Sequence, residues 1–168
     1  QVKGNWGSSA KGHSDNLGLF SNLGYKLDDT TILSSHFRGD KHKYSQENFT
    51  YRLNVKKFID KFTLSLSEST GLRHPDLYVL HGVNPSGSFK SMKTTKPETS
   101  LTRELSVKFN FSDIISFETT AYKGSISDVL NRGTSTNGYN EIIDINQEGL
   151  ENSLILKDES QKLTLSSS

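Results

Sequence analysis

Three side chains of the kinds that ligate metals, His36, Asp40 and His42, are separated by even numbers of residues. In an extended strand such positions share one side, so the three could converge on a metal ion. Such residues more commonly lie in solvent where a strand runs into a loop, and we expect no metal site here. His74 and His81 flank a proline-led turn and could meet a ligand only as loop residues.

Glu98, Glu104 and Glu118 could suggest the paired carboxylates of a glycosidase. However, residue parity places Glu104 and Glu118 on the wet side of strands, where a water-lined, salt-bridged wall explains them better. The sequence has no glycine-rich phosphate loop, Gly-x-Ser-x-Gly elbow or His-Glu-x-x-His motif. We therefore expect no enzyme and no cofactor.

Charge and composition limit the partners of this chain. Its 20 basic and 19 acidic residues are interleaved and leave a net charge of +1, too little field to hold a nucleic acid. There is no cysteine, which excludes thiolate metal sites and disulfides. The sequence starts with Gln1 and shows no signal-like segment, so we expect a piece cut from a longer protein.

The elements that would position these residues are strands, because apolar and polar residues alternate. In Leu101–Phe111 the odd positions are mostly apolar and the even positions are polar. The same alternation occurs in four other stretches, 17–27, 49–56, 62–67 and 115–121, and Leu163 and Leu165 begin another. Only 32% of residues are hydrophobic, which indicates β-structure with little core.

Short turns at 28–30, 59–60, 112–113 and 157–160 alternate with long polar segments at 39–48, 74–100 and 127–140. Transmembrane barrels show this asymmetry, with tight turns at one rim and long loops at the other. The strands also exceed the usual length of ~5–6 residues and match the ~9–11 that cross a bilayer. A soluble or surface-attached β-sandwich that binds glycans or acts as an adhesin remains the alternative.

Aromatic residues cluster beside the short turns and could form an interfacial girdle. These residues are Tyr25, Phe58, Phe62, Phe109, Phe111 and Phe117. Because aromatic residues favour strands of any sheet, the sandwich explains them equally well.

Several stretches, in order and spacing, resemble a known family. They are Thr70–Gly82, Asn84–Pro85, Lys96–Glu98, Ala121–Lys123, Ile126–Leu130, Tyr139–Asn140 and Gln147–Glu151, with His36–His42 upstream. The first contains Leu-Tyr-x-Leu-x-Gly, and an Asn-Pro loop then leads to Lys-Pro-Glu. This pattern resembles the barrels of TonB-dependent receptors, and the nearest branch is that of vitamin B12 and siderophore receptors. Residues 86–95 depart from the compact loop of the family.

The resemblance implies an all-β fold, an antiparallel transmembrane β-barrel fragment of about eight strands from a barrel of about 22. Residues 1–168 would then be a partial barrel domain without the plug and the C-terminal strands. The implied function is energy-coupled uptake of a ferric siderophore or cobalamin across the bacterial outer membrane. The implied partners are outer-membrane lipid, the metal-chelate or cobalamin ligand, and the TonB complex acting through the plug.

Two groups of site residues follow from the resemblance. The candidates for ligand contact in an extracellular loop are His74, Asp76, Tyr78, His81, Asn84, Lys90 and Lys93. The candidates for the lumenal wall, which would pair with one another or with the plug, are Arg52, Lys56, Glu104, Lys108 and Glu118.

Overall fold

The computed structural model describes residues 15–43, 47–74, 96–132, 139–157 and 162–167. These residues form eight strands: β1 (Asn16–Asp28), β2 (Thr31–His42), β3 (Asn48–Ile59), β4 (Phe62–Arg73), β5 (Glu98–Asn110), β6 (Ile115–Arg132), β7 (Tyr139–Lys157) and β8 (Lys162–Ser167). No helix among these residues is long and apolar enough to cross a membrane.

The strands pair in chain order, β1 to β8, in a single antiparallel sheet. Each strand is hydrogen-bonded to its sequence neighbours, as consecutive hairpins require. A sandwich would need a second sheet against one face. The described residues form one sheet and contain no second one, so they do not form a sandwich among themselves.

The register divides the side chains into two faces, because directly paired residues point to the same side. What we call the apolar face carries Leu23, Leu33, Leu53, Val55, Leu64, Leu66, Leu105, Val107, Phe109, Phe117, Ala121, Leu150 and Leu154. The polar face carries Asn22, His36, Arg52, Lys56, Ser65, Ser67, Glu104, Lys108, Glu118, Thr120 and Glu151. The alternation read from the sequence is confirmed.

The sheet has almost no core of its own. Among the described residues Ile155 is the one buried hydrophobic side chain, while Leu66 is 56% exposed and Leu150 is 55% exposed. An apolar face of this extent is far larger than soluble monomers usually leave uncovered. The face therefore needs an apolar environment that the described chain does not supply.

The strand ends are staggered along the sheet. One cross-strand row on the apolar face runs through Tyr25, Leu33, Val55, Leu66, Leu105, Ala121 and Leu150. This row lies three residues before Asp28, the end of β1, but in β7 six residues separate Leu150 from Leu156. A progressive shift of this kind is the shear that accompanies strand tilt in barrels.

Short turns join the first hairpins as the sequence predicts. After β1, the Asp28 carboxylate accepts hydrogen bonds from the Thr30 N–H (2.7 Å) and the Thr31 hydroxyl (2.9 Å). Lys57 points from the apolar face toward this turn, and its ammonium donates to the hydroxyls of Thr30 (2.8 Å) and Thr31 (2.9 Å). A lysine that bends to the polar end of an apolar surface keeps its charge solvated.

All three long polar segments are shorter than predicted, and in the segment 74–100 strand β5 already begins at Glu98. Gly39–His42 continues β2, because Gly39 pairs with Phe49 and Asp40 with Asn48. Residues 127–132 continue β6 past a bulge at Asp128, whose φ is 60°. Neighbouring ladders thus extend strands through residues whose own preferences favour loops.

The predicted aromatic girdle holds only in part. Phe62 and Phe109 lie together on the apolar face, with ring centroids 4.6 Å apart, and Phe111 meets Phe109 edge-on at 4.5 Å. Phe58 is an exception, because it pairs with Thr63 and shares the polar face with Lys56. It cannot face the same surroundings as the other aromatic residues.

Candidate functional site: the polar face

The polar face of the first five strands contains an open groove of about 530 Å³. The polar-face residues that line it are Phe20, Asn22, His36, Arg38, Thr50, Arg52, Ser69, Gly71 and Ser100. Two of these side chains, Arg38 and Arg52, are cationic, and Arg38 is paired with Asp40, while the rest are mostly small or hydroxylated. The groove can therefore offer positive charge and hydroxyl groups to a ligand or to a polypeptide.

The floor of the groove is low because β4 presents only small residues to this side. From Thr63 through Ser65, Ser67 and Ser69 to Gly71, no side chain on the polar face of the strand exceeds threonine in size. A Cβ at Gly71 would lie 2.5 Å from the Ser100 Oγ, so any larger residue would require that hydroxyl to move. The sequence thus shapes a shallow surface that another body can approach closely.

The upper part of the groove holds one firmly fixed ion pair. Arg38 donates to Asp40 twice, through Nε to Oδ2 at 2.6 Å and through Nη2 to Oδ1 at 2.8 Å. Asn16 also donates to the same carboxylate, at 3.2 Å. A Cβ at Gly18 would lie 2.9 Å from both Arg38 Nη2 and Asp40 Oδ1, so a larger residue opposite the pair would require these side chains to shift.

His36, Asp40 and His42 share the polar face but do not converge. His36 Nδ1 lies 2.8 Å from the side-chain oxygen of Asn22, and the Asp40 carboxylate is held by Arg38. Over the part of the chain that the structure describes, no group of three such residues could hold a metal ion.

His42 stacks on His74 at the loop end of the sheet, with ring centroids 4.3 Å apart. Burial lowers the pKa of His74, and the neighbouring His42 lowers it further. His74 thus favours its neutral form, which suits a packed ring. The other loop candidates, Asp76, Tyr78, His81, Asn84, Lys90 and Lys93, lie outside the described residues.

The five candidate wall residues, Arg52, Lys56, Glu104, Lys108 and Glu118, lie on the polar face. They do not form ion pairs with one another. Glu104 accepts a hydrogen bond from the Ser67 hydroxyl at 2.9 Å. Lys108 and Glu118 are direct partners in the register, yet their charged groups are not within ion-pair distance.

A cluster on the opposite face was missed by sequence reasoning. Glu68 accepts hydrogen bonds from the Tyr51 hydroxyl at 2.6 Å and from Arg103 Nε at 2.7 Å, all on the apolar face. Glu68 lies on the same side of β4 as Leu64 and Leu66, and Arg103 lies on the same side of β5 as Leu105. The sequence did contain a signal. Two residues of opposite charge, in neighbouring strands, stand at positions where the alternation predicts apolar residues.

Comparison with known proteins agrees with this geometry. The family model described as TonB dependent receptor-like, beta-barrel matches residues 4–152. No curated protein sequence matches the chain.

Several solved structures have a similar fold. The siderophore receptor PirA from Pseudomonas aeruginosa has a TM-score of 0.76 at 19% identity over 91% of this chain and 32% of its own. The ferric enterobactin receptor PfeA from Pseudomonas aeruginosa has a TM-score of 0.76 at 20% identity, over 96% and 27%. The copper transporter OprC has a TM-score of 0.66 at 16% identity, over 91% and 28%. The chain thus spans about a third or less of each.

Proposed function

Since the chain belongs to the TonB-dependent receptor-like β-barrel family, we propose that it forms part of the wall of an outer-membrane transporter. In this proposal the transporter takes up a scarce ligand with energy delivered through TonB, and it catalyses no reaction. The observation that carries the proposal is the separation of one sheet into an exposed apolar face and a polar face with a groove.

The two faces have different surroundings in this proposal. The apolar face contacts lipid, since outer-membrane barrels present an apolar band to the bilayer. The polar face looks into the lumen, where water and a plug domain meet Arg52, Lys56, Glu104, Lys108 and Glu118. The staggered strand ends support closure of the sheet into a larger barrel.

For the ligand, we favour an anionic ferric siderophore over cobalamin. The groove contains Arg52, whose guanidinium has no ion pair among the described residues, together with His36. An unpaired guanidinium in a hydroxyl-lined surface suits a carboxylate, catecholate or similar oxygen anion. Lys90 and Lys93 of the adjoining long segment would add to the same preference.

Uptake by cells tests the proposal. A strain that lacks the gene is complemented with the full-length protein and given ⁵⁵Fe as an anionic tris-catecholate complex, ⁵⁵Fe as a neutral hydroxamate complex, or ⁵⁷Co-cyanocobalamin. We expect accumulation of the anionic iron complex, lost when TonB is deleted. Accumulation of cobalamin alone would overturn the ligand assignment, and TonB-independent accumulation would overturn the mechanism.

Arg52→Gln sharpens the test at the groove. Loss of one charge-assisted contact should raise the half-saturating concentration of the iron complex about tenfold. Arg52→Lys should recover part of the loss. Asp60→Asn, a change at the opposite short turn where φ is 50° and asparagine fits, serves as the matched control.

The segment 81–93 is the second place to test. Shortening it should change the affinity for the iron complex and leave barrel assembly intact, since loops carry ligand contacts and strands carry assembly. Unchanged uptake of all three compounds by the shortened protein would show that this segment does not contribute to the binding site.

A further inference from the structure

In the described part of the chain β6 and β7 are the longest strands, and their hairpin extends beyond β5 at the loop end of the sheet. The pairing of β5 with β6 ends at Thr99 and Ser127, whereas β6 and β7 stay paired as far as Arg132 and Tyr139. Residues 128–132 therefore project past the neighbouring strand.

A β-bulge lies where the hairpin passes the end of β5. Ser127 and Asp128 together oppose Asp144, and Asp128 has a φ of 60°. The Asp128 N–H donates to the Asp144 carboxylate at 3.3 Å. The extra residue brings Val129 opposite Ile143 on the polar side of the sheet, a place that Asp128 would take without the bulge. The bulge thus keeps an aliphatic side chain on this side.

Four aliphatic side chains form a patch on the polar face of the hairpin, which we call the aliphatic patch: Ile126, Val129, Ile143 and Ile145. Ile126 is the direct partner of Ile145, as Val129 is of Ile143. Ile145 is 38% exposed, and the other three are half-buried. The neighbour of the patch in β5, Ser100, is polar again. Since contiguous apolar side chains gain by leaving water, we expect an apolar group to cover the patch.

The position of the aliphatic patch excludes two occupants. The patch lies on the polar face, opposite to the face that we assign to lipid, and closure of the sheet into a barrel would enclose the polar face. Neither the bilayer nor a second copy of the protein can then reach it. This step rests on the barrel wall of the proposed function.

The chain itself contains a suitable segment. Arg73 at the end of β4 pairs with Glu98 at the start of β5, and Pro97, the residue before β5, is buried. The residues between these strands, 74–97, include four consecutive apolar side chains, Leu77–Leu80, which carry no charge. Burial of this run requires no desolvation of a charged group.

The run is also within reach of the patch. His74 stacks on His42, a polar-face residue, so the chain leaves β4 toward the polar side. Only β5 lies between β4 and β6, which places β6 about 10 Å from β4 at the usual strand spacing. Six residues of extended chain, from His74 to Leu80, span about 20 Å, twice that distance.

We propose that the aliphatic patch binds the run Leu77–Leu80 of the segment between β4 and β5. Leucine and valine side chains pack on isoleucine and valine through apolar contact alone, and Tyr78 can keep its hydroxyl in water. Binding there holds Asp76, Tyr78 and His81, which are candidates for ligand contact, beside the loop end of β6 and β7. The inference concerns the position of this segment and not uptake.

Hydrogen exchange in the full-length protein in detergent micelles tests the contact. Mass spectrometry follows the amides of residues 77–80 in the wild type and in V129S/I143S. We expect slow exchange in the wild type and about tenfold faster exchange in the variant, because serine removes the apolar contact. Equal exchange in the two proteins would overturn the proposal. Ile32→Ser is the matched control, because Ile32 is a 40% exposed aliphatic residue of the polar face near the short turns.

Cysteine pairs give a second measurement, which remains informative if V129S/I143S fails to fold. The sequence has no cysteine, so V129C can be combined in turn with L77C, V79C or F89C and oxidised. We expect a disulfide with L77C or V79C and none with F89C. A disulfide with F89C alone, or with none of the three, would overturn the assignment. A disulfide-linked dimer of V129C would place a second copy at the patch and overturn it as well.

The ferric tris-catecholate complex is the remaining candidate for the patch. If the complex slows exchange at residues 126–129 equally in the wild type and in protein whose residues 77–80 are replaced by glycine and serine, the ligand covers the patch and the proposal fails. Neither measurement involves uptake, so failure here leaves the proposed function standing. Wild-type protein outside the outer membrane would overturn the proposed function, whereas a disulfide between V129C and L77C would still support the contact.

Discussion

The apolar and polar faces of β3 to β6 are built from alternate residues of the same strands. They differ in whether their charged side chains have partners within the described chain. On the apolar face, Lys57 and Arg103 have acceptors within 3 Å, whereas Lys123 has no ion pair among the described residues. On the polar face, Arg52 and Lys108 have no ion pair among the described residues. In transmembrane barrels, charges that face lipid favour acceptors within the chain, whereas water or a second domain can satisfy charges that face the lumen.

The strongest way to break this contrast is to place a new charge in the apolar band. Val107→Arg should destabilise the full-length protein by about 2–4 kcal/mol, as measured for cations near the bilayer midplane of barrels. The measurement is guanidinium chloride unfolding from phosphatidylcholine vesicles.

Ser106→Arg is the control for this substitution, because it puts the same cation one residue away on the polar face. It removes the 2.7 Å hydrogen bond to the Thr120 hydroxyl, which should cost only about 1 kcal/mol. Equal losses for the two variants would contradict the assignment of the faces.

The second test removes the compensation of an existing charge. Glu68→Gln leaves Arg103 without its anion and should lower the free energy of unfolding, because a hydrogen bond to a charged group is lost. E68L/R103L replaces the pair with apolar residues and should lie within about 1 kcal/mol of the wild type, as apolar replacement of ion pairs often does. If E68L/R103L were less stable than Glu68→Gln, the pair would contribute more to stability than the mutual neutralisation of its two charges.

The sequence predicts the strands well where side chains alternate by size and polarity. Leu101–Phe111 and β5 (Glu98–Asn110) agree closely, because period two follows directly from the pleat. The agreement is weaker at Gly39–His42 and at 127–132, where glycine, asparagine and aspartate favour loops locally. In these stretches, pairing with the neighbouring strand determines the structure, and the local sequence pattern does not reveal that pairing.

The candidate site shows a different limit of sequence reasoning. Parity places Arg52 and Glu104 on one face, but it says nothing of which partner each has. Arg38 and Asp40, two residues apart on one strand, form an ion pair that lies close to Gly18 in the neighbouring strand. The link of Glu68 with Tyr51 and Arg103 joins three strands, so it depends on the register across 52 residues, from Tyr51 to Arg103.

A third, smaller effect is expected at the turn end of the apolar face. Asp28→Ala removes the acceptor of the Thr30 N–H and the anion beside Lys57, and it should lower the midpoint of unfolding slightly. Asp28→Asn keeps an acceptor for the N–H and should recover about half of that loss. Identical unfolding midpoints for Asp28→Ala and wild type would show that the turn does not depend on this carboxylate.

The smallest effects should come from the polar face. Lys108→Ala should change the free energy of unfolding by less than about 0.5 kcal/mol, since a solvated side chain with no ion pair in the described chain contributes little. If the full-length protein carries a plug domain, as the proposed function implies, the same substitution should cost more there, provided that Lys108 pairs with that domain. Unfolding of the full-length protein with and without its plug measures both values. Losses above 1 kcal/mol in both forms would mean that the polar face supports the sheet itself, and the contrast between the two faces would not hold.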